Sequence, residues 1–250
     1  MSSTQYDNGK MEIRRVENHP RVKRFGAGKS QQLSPMGDDM QLPPPGSTAI
    51  RDPLRWLHPT IPMPAYHSIF LEDRDVPVIG NFPVLPLRTR TRGPAYTLPP
   101  LPPNVSDADV PPDSDSYDCV DEILSLFRAN VLFRNFEING PADRMLIYGT
   151  LFISECLGKV RPGMTSLEAS KALNNVALEQ FAIPGDASFP LNQAFEPPRD
   201  RQDAEGLRAY LSQVRQEIAI RLHTRLYPDG DGPSKWWLSF AKRKFMGKSF

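Results

Sequence analysis

The 250-residue chain predicts a mainly all-α fold of about five helices around one central buried helix, preceded by extended proline-rich segments. Three observations lead there. From Met145 to Ser154 there is no charge, and Leu146, Ile147, Tyr148, Leu151, Phe152, Ile153, Cys156 and Leu157 point in every direction at a 3.6-residue period, so a helix over Ala142–Val160 must be wrapped by other elements. Two further segments, led by Val120 and Leu207, carry apolar stripes at helical spacing. Most of the 27 prolines precede Ser116. They confine regular helix to the back of the chain.

In chain order, Met1 to Pro62 shows no sustained period and mixes Ser, Gln, Gly and Pro with scattered charge. That composition predicts a disordered extension over 1–62. Gly26-Ala27-Gly28-Lys29-Ser30 is not a phosphate loop, because Lys23 stands where its first glycine belongs and no apolar strand precedes it. From Met63 short apolar pieces appear: Ile69-Phe70-Leu71, Val76, Val78-Ile79 and Val84-Leu85-Pro86-Leu87. Pro77, Pro83 and Pro86 forbid a central strand, so these read as extended segments laid on a helical body, pairing at most as edges. Arg88 to Tyr117 reads as a linker, with a proline-rich insert at about 94–117. Its Leu98-Pro99-Pro100-Leu101-Pro102-Pro103 run would form polyproline II, either a stiff spacer or a ligand for a proline-binding domain.

Val120, Ile123, Leu124, Phe127 and Val131 then give an amphipathic helix with Asp118, Asp121 and Glu122 at its start. The central helix follows Gly140-Pro141 and stops at Arg161-Pro162-Gly163. Thr165-Ser166-Leu167-Glu168 is a capping box opening a third helix, with Leu173, Val176, Ala177 and Phe181 as its apolar face. The apolar residues of Ile183 to Asn192 suggest a packed loop. A long helix over about Gln202–Leu226 buries Leu207, Leu211, Val214, Ile218 and Leu222, with Arg201, Arg208, Arg215, Arg221 and Arg225 largely on its other faces. The last helix, Pro233–Met246, places Trp237, Ala241 and Phe245 on one side. Lys235, Lys242, Arg243 and Lys244 have no acidic neighbour in this stretch and are the candidate partner-binding residues. Three readings stay open for it: core anchors under a solvated face, a surface for an acidic protein, or a nucleic-acid-binding module using its basic aromatic side.

A net charge of +1 points to no global electrostatic partner. Two distant cysteines, Cys119 and Cys156, and four scattered histidines make neither a disulfide framework nor a metal-ligand spacing. No apolar signal-peptide core and no membrane-length apolar run occurs, so a cytoplasmic protein without membrane insertion is expected. Catalytic glycine-serine turns, dinucleotide glycine motifs and zinc-protease helices are also missing, which points to an interaction protein without cofactor, metal or catalytic residues.

An ordered series of motifs adds to this. Met63-Pro64-Ala65-Tyr66-His67-Ser68 is followed by Ile79-Gly80-Asn81, Phe127-Arg128-Ala129-Asn130-Val131 and Phe133-Arg134-Asn135-Phe136-Glu137-Ile138. Ala142-Asp143-Arg144, Leu146-Ile147-Tyr148, Ile153-Ser154-Glu155-Cys156-Leu157 and Phe189-Pro190-Leu191-Asn192 come next, then Arg208-Ala209-Tyr210-Leu211 and Pro233-Ser234-Lys235-Trp236-Trp237. The stretch from Met63 to Phe250 resembles subunit 3 of the actin-related protein 2/3 complex. The resemblance implies a mostly helical domain over 63–250 with one helix surrounded by others. It also implies a structural, non-enzymatic subunit of an assembly that nucleates branched actin filaments at the cytoplasmic actin cytoskeleton. In that family the subunit sits against actin-related protein 3, alongside the other subunits, and touches the mother actin filament at the branch; nucleic acid has no part in it. Residues 1–62 have no counterpart in the family, and the insert around Tyr96–Ser114 is longer than the family's usual connection.

Overall fold

The uncharged run forms helix α2, Pro141–Lys159, buried on every side from Met145 to Ile153. Gly140 offers no side chain to cap it, and Pro141 opens its first turn, where a missing N–H costs nothing. The structure is a computed structural model that describes residues 65–73, 75–108, 110–228, 230 and 232–250. The expected extension over 1–62 and the glycine-rich stretch at 26–30 lie outside the described residues.

Around α2 lie α1 (Cys119–Asn130), α3 (Ser166–Leu178) and α4 (Arg201–Leu226). Helices α1 and α2 pack directly on each other, α3 pairs with α4, and α4 closes against both α2 and α1. Gly149 lets α1 come close: a Cβ there would lie 2.6 Å from side-chain atoms of Ile123. The capping box at Thr165 is complete, with the Thr165 hydroxyl and the Glu168 carboxylate each accepting from the other's backbone N–H. A short helix α5 (Lys235–Leu238) follows α4. Strands β1 (Val78–Ile79) and β2 (Phe82–Pro83) make one antiparallel hairpin, turning at Gly80 with φ +62°. Asn81 stitches that turn to the loop before α4: its side chain donates to the Ala194 carbonyl and accepts from the Glu196 N–H. Ile183, Phe189, Leu191 and Phe195 are buried, so that loop is packed as expected.

The structure departs from the sequence expectations in four places. Ile69–Glu72 is a 3-10 turn rather than an extended piece, because the Ser68 hydroxyl caps it by accepting from the Phe70 N–H. Arg88–Tyr117 is not a free linker. Leu87 and Leu98 are joined by a 2.9 Å backbone hydrogen bond, and the Gln213 amide on α4 holds both Thr91 and Ala95. The expected helix over Pro233–Met246 ends at Leu238 and gives way to successive four-residue turns. Those turns let the chain double back, so that Met246 donates to the Phe133 carbonyl and the Phe245 ring meets Phe136 at 5.8 Å. Phe136 in turn stands 5.2 Å from the His67 ring.

The fourth departure concerns charge. Arg215 and Arg221 do not sit on outer faces of α4; both are buried. Arg215 lies between the Phe152 and Phe181 rings and donates to the Val176 carbonyl. Arg221 forms a bidentate pair with Asp118 (2.6 and 2.8 Å), reaches Asp121 at 2.9 Å and donates to the Arg88 carbonyl at 2.6 Å. Asp118 is also the N-cap of α1, accepting from the Val120 and Asp121 N–H groups. Arg88 completes the group through Asp121 and Asp107. Burial pushes the Asp118 carboxyl up, but Arg221 and the hydrogen bonds from Arg88 and Asp121 carry it below its ordinary value. For Asp121, burial and the neighbouring Asp118 charge win, and its pKa is raised.

A second buried polar group anchors the front. The Ser68 hydroxyl and the Ile69 N–H donate to Glu122 on α1 at 2.7 and 2.6 Å. The Ser68 N–H and the His67 ring meet Asp143 on α2. Asn130 exchanges two hydrogen bonds with the Tyr66 backbone. Burial pushes Glu122 to a pKa of about 7, against the lowering hydrogen bonds from Ile69 and Ser68 and with help from the Asp143 charge.

Two outcomes follow. Phe152 is fully buried in α2 and carries the Arg215 guanidinium on its face. Phe152→Ala should cost about 2–5 kcal/mol through the cavity it leaves, read as a lowered melting temperature; an unchanged melt would show that α2 is not the hub. Glu122 binds its proton more tightly in the folded than in the unfolded state, so its contribution to stability falls as pH rises from its ordinary 4.5 through about 7. Glu122→Gln stays neutral and keeps an acceptor for Ile69. Its melting temperature relative to the unsubstituted chain should therefore climb between pH 5 and pH 8, by the equivalent of roughly 3 kcal/mol at most. A difference that does not change with pH would show that Glu122 is not the titrating group.

Candidate partner-binding surface

The C-terminal segment separates its apolar from its charged residues without a continuous helix. Trp237 is buried and stacks on Phe127 at 5.8 Å, with Phe240 set edge-on to the same ring. Phe245 is buried against Phe136. These three rings fasten the segment to α1 and to the loop after it. Met246 adopts φ +53°, a left-handed turn held by its hydrogen bond to Phe133.

The four candidate cations, Lys235, Lys242, Arg243 and Lys244, are all exposed, and none forms an ion pair among the described residues. The structure brings three of them together. Lys242, Arg243 and Lys244 line one shallow depression of 280 Å³ with Val131, Leu132 and Arg134. Lys235 stands apart, on a different depression beside Pro162, Pro233 and Leu238. Arg134 therefore belongs with the group, although it lies in the loop after α1 and over a hundred residues from Lys242 in sequence; periodicity could not associate them. Nearby, Trp236 is half exposed and the Arg128 guanidinium lies 3.4 Å over its ring. Leu132 is half exposed beside the cations.

Four cations around an apolar floor, with no acidic residue lining the depression, suit carboxylates on a protein partner. The nucleic-acid reading is weakened here. Trp237 and Phe245 are spent on the core and one face of Trp236 is covered by Arg128, which leaves little aromatic surface in the segment for stacked bases. Among the described residues, no three His, Cys, Asp or Glu side chains gather as a metal site. Burial pushes the Cys119 and Cys156 thiols up, which leaves both as poor nucleophiles. Among the described residues, no helix is long and apolar enough to cross a membrane.

Comparison with known proteins supplies what the surface alone does not. Residues 63–250 match the profile of the P21-Arc family, described as the ARP2/3 complex ARPC3 (21 kDa) subunit. A Schizosaccharomyces pombe protein named actin-related protein 2/3 complex subunit 3 is 54% identical over 188 residues, covering 75% of this chain and 99% of its own length. Proteins of the same name from Saccharomyces cerevisiae and Dictyostelium discoideum are 46% identical over 192 residues and 45% identical over 186. Those two matches cover 75% and 74% of this chain and 99% and 98% of the relatives.

Proposed function

The chain belongs to the P21-Arc family, the 21 kDa subunits of the ARP2/3 complex, and from that premise we propose that it binds actin-related protein 3 and helps the assembly grip a mother actin filament at the branch. Its role is structural and non-enzymatic, exercised in the cytoplasm on the actin cytoskeleton, with the other subunits of the complex as its partners. The observation that carries the reading is coverage: the similarity runs through the whole of 63–250 and nearly the full length of the relatives. On this reading residues 63–250 are the subunit domain and 1–62 is an addition to it, which the extent of the family match supports.

Lys242, Arg243 and Lys244, joined by Arg134, form the contact surface, and Lys235 adds a cation on a separate depression. Actin and its relatives are acidic, and an exposed cation cluster facing them gains orientation and on-rate more than affinity. The gain is screened within about 8 Å at physiological salt.

Affinity purification of the tagged chain followed by mass spectrometry should recover both actin-related proteins in equal amounts; their absence would overturn the proposal. A chain starting at Met63 should recover them equally well, and failure would make 1–62 a docking element. Reversal of Lys242 and Arg243 to Glu should leave the melting temperature unchanged, because both are exposed, yet lower branch density in microscopy. The loss should be on the order of tenfold at low salt and should shrink as salt is added. Trp237→Ala should do the opposite and destabilise the fold itself by roughly 3–5 kcal/mol. Normal branching by the charge-reversed protein would reduce those cations to a solvated face.

A further inference from the structure

The proline-rich run of the insert has no part in the surface above. Its exposure repeats every three residues: Leu98 and Leu101 are half-buried, while Pro99, Pro100, Pro102 and Pro103 are exposed. Three residues per turn is the period of a polyproline II helix, a ribbon with three edges. One edge, Leu98 and Leu101, lines a 670 Å³ groove that Glu217, Ile220 and Arg221 of α4 also line. The other two edges, Pro99 with Pro102 and Pro100 with Pro103, are wholly proline and exposed, with Pro100 also bordering the groove.

The ribbon is also held at both ends. The Leu98 N–H donates to the Leu87 carbonyl at 2.9 Å, the Ser116 hydroxyl donates to the Pro100 carbonyl at 3.2 Å, and the Val105 N–H closes a turn on the Pro102 carbonyl at 3.0 Å. Little conformational entropy is left to lose when a partner binds. The pairing of Leu87 beside Thr97 runs parallel, which carries Arg90 into the same groove as Pro100 and Leu101. Arg90 is exposed and makes no ion pair among the described residues. Sequence spacing hides this neighbour, since nine residues separate Arg90 from Pro99.

We propose that Leu98–Pro103 is a preformed docking ligand for an SH3 domain. Two proline-proline units three residues apart fit two adjacent slots between parallel aromatic rings, and Arg90 supplies the charge that an acidic rim on such a groove takes up. The leucine edge lines the groove rather than the proline slots, and the backbone bonds of Leu98 and Pro100 hold the segment, so docking does not require it to leave the body.

The test uses the full-length chain against an array of purified SH3 domains, with purified WW domains in parallel. SH3 domains whose grooves carry acidic rims should bind saturably. Pro99→Ala with Pro102→Ala should weaken that binding at least tenfold, and Arg90→Glu should weaken it several-fold. Pro111→Ala, an exposed proline outside the ribbon, should leave it unchanged. A synthetic peptide spanning residues 96–104 should compete, which keeps the result independent of how the variants fold. Absence of SH3 binding, binding that survives the double substitution, or binding by WW domains alone would overturn the proposal.

Discussion

One buried guanidinium organises the back of the molecule. Arg221 is nearly inaccessible to water, and its fixed fork of donors must find acceptors where it lies. It finds them on three separate stretches: Asp118 and Asp121 at the head of α1, Glu217 one turn back on α4, and the Arg88 carbonyl. Such a group rarely adds net stability over a well-packed apolar substitute, because desolvation offsets the attraction. What it adds is uniqueness. Sliding α1 by one turn along α4, or threading Arg88 elsewhere, would leave a charge unpaired in the interior at a cost of about 3–5 kcal/mol. Asp118 makes the arrangement stricter still, since the same carboxylate caps the helix that Arg221 must find.

That group also shows where local pattern stops being informative. Helices α1 to α4 were legible because each carries a period, a cap or a proline boundary, and their observed ends fall within a residue or two of the pattern for α2 and α4. Arg215 and Arg221 were misplaced because arginine is ordinarily a surface residue, and because their partners lie across the fold. Phe152 and Phe181 flank Arg215, while Asp118 is about a hundred residues from Arg221. Glu122 looks like an ordinary first-turn acid for the same reason; only the fold brings Ser68 to it and to Asp143. The C-terminal segment erred the other way. Its four-residue spacing of Trp237, Ala241 and Phe245 mimics a helix, but short turns satisfy the same inward pattern once Phe127 and Phe136 provide the receiving surface.

The candidate surface was half legible. Lysine and arginine without acidic neighbours can be read directly from the sequence, and all four named residues are exposed. Their grouping cannot, since it depends on where the chain turns after α5. Lys235 falls on one depression and Lys242 to Lys244 on another, with Arg134 brought in from the loop after α1. Charge and fold are physically separate in this segment: the aromatics hold it, and the cations lie outside the packing.

Phe136 has a consequence for how the chain is made. Its ring meets both His67 and Phe245, residues separated by most of the subunit. A ribosome delivers the first of these long before the second. Throughout that interval α1 and α2 can pair, yet one face of Phe136 stays wet, and so does the patch of Phe127 that Trp237 later stacks against. Contacts this distant in sequence close slowly, and uncovered aromatics are what chaperones bind and what aggregates grow from. The aromatic turns after α5 thus fill two sockets, on Phe127 and on Phe136, that the earlier part of the subunit leaves open to water.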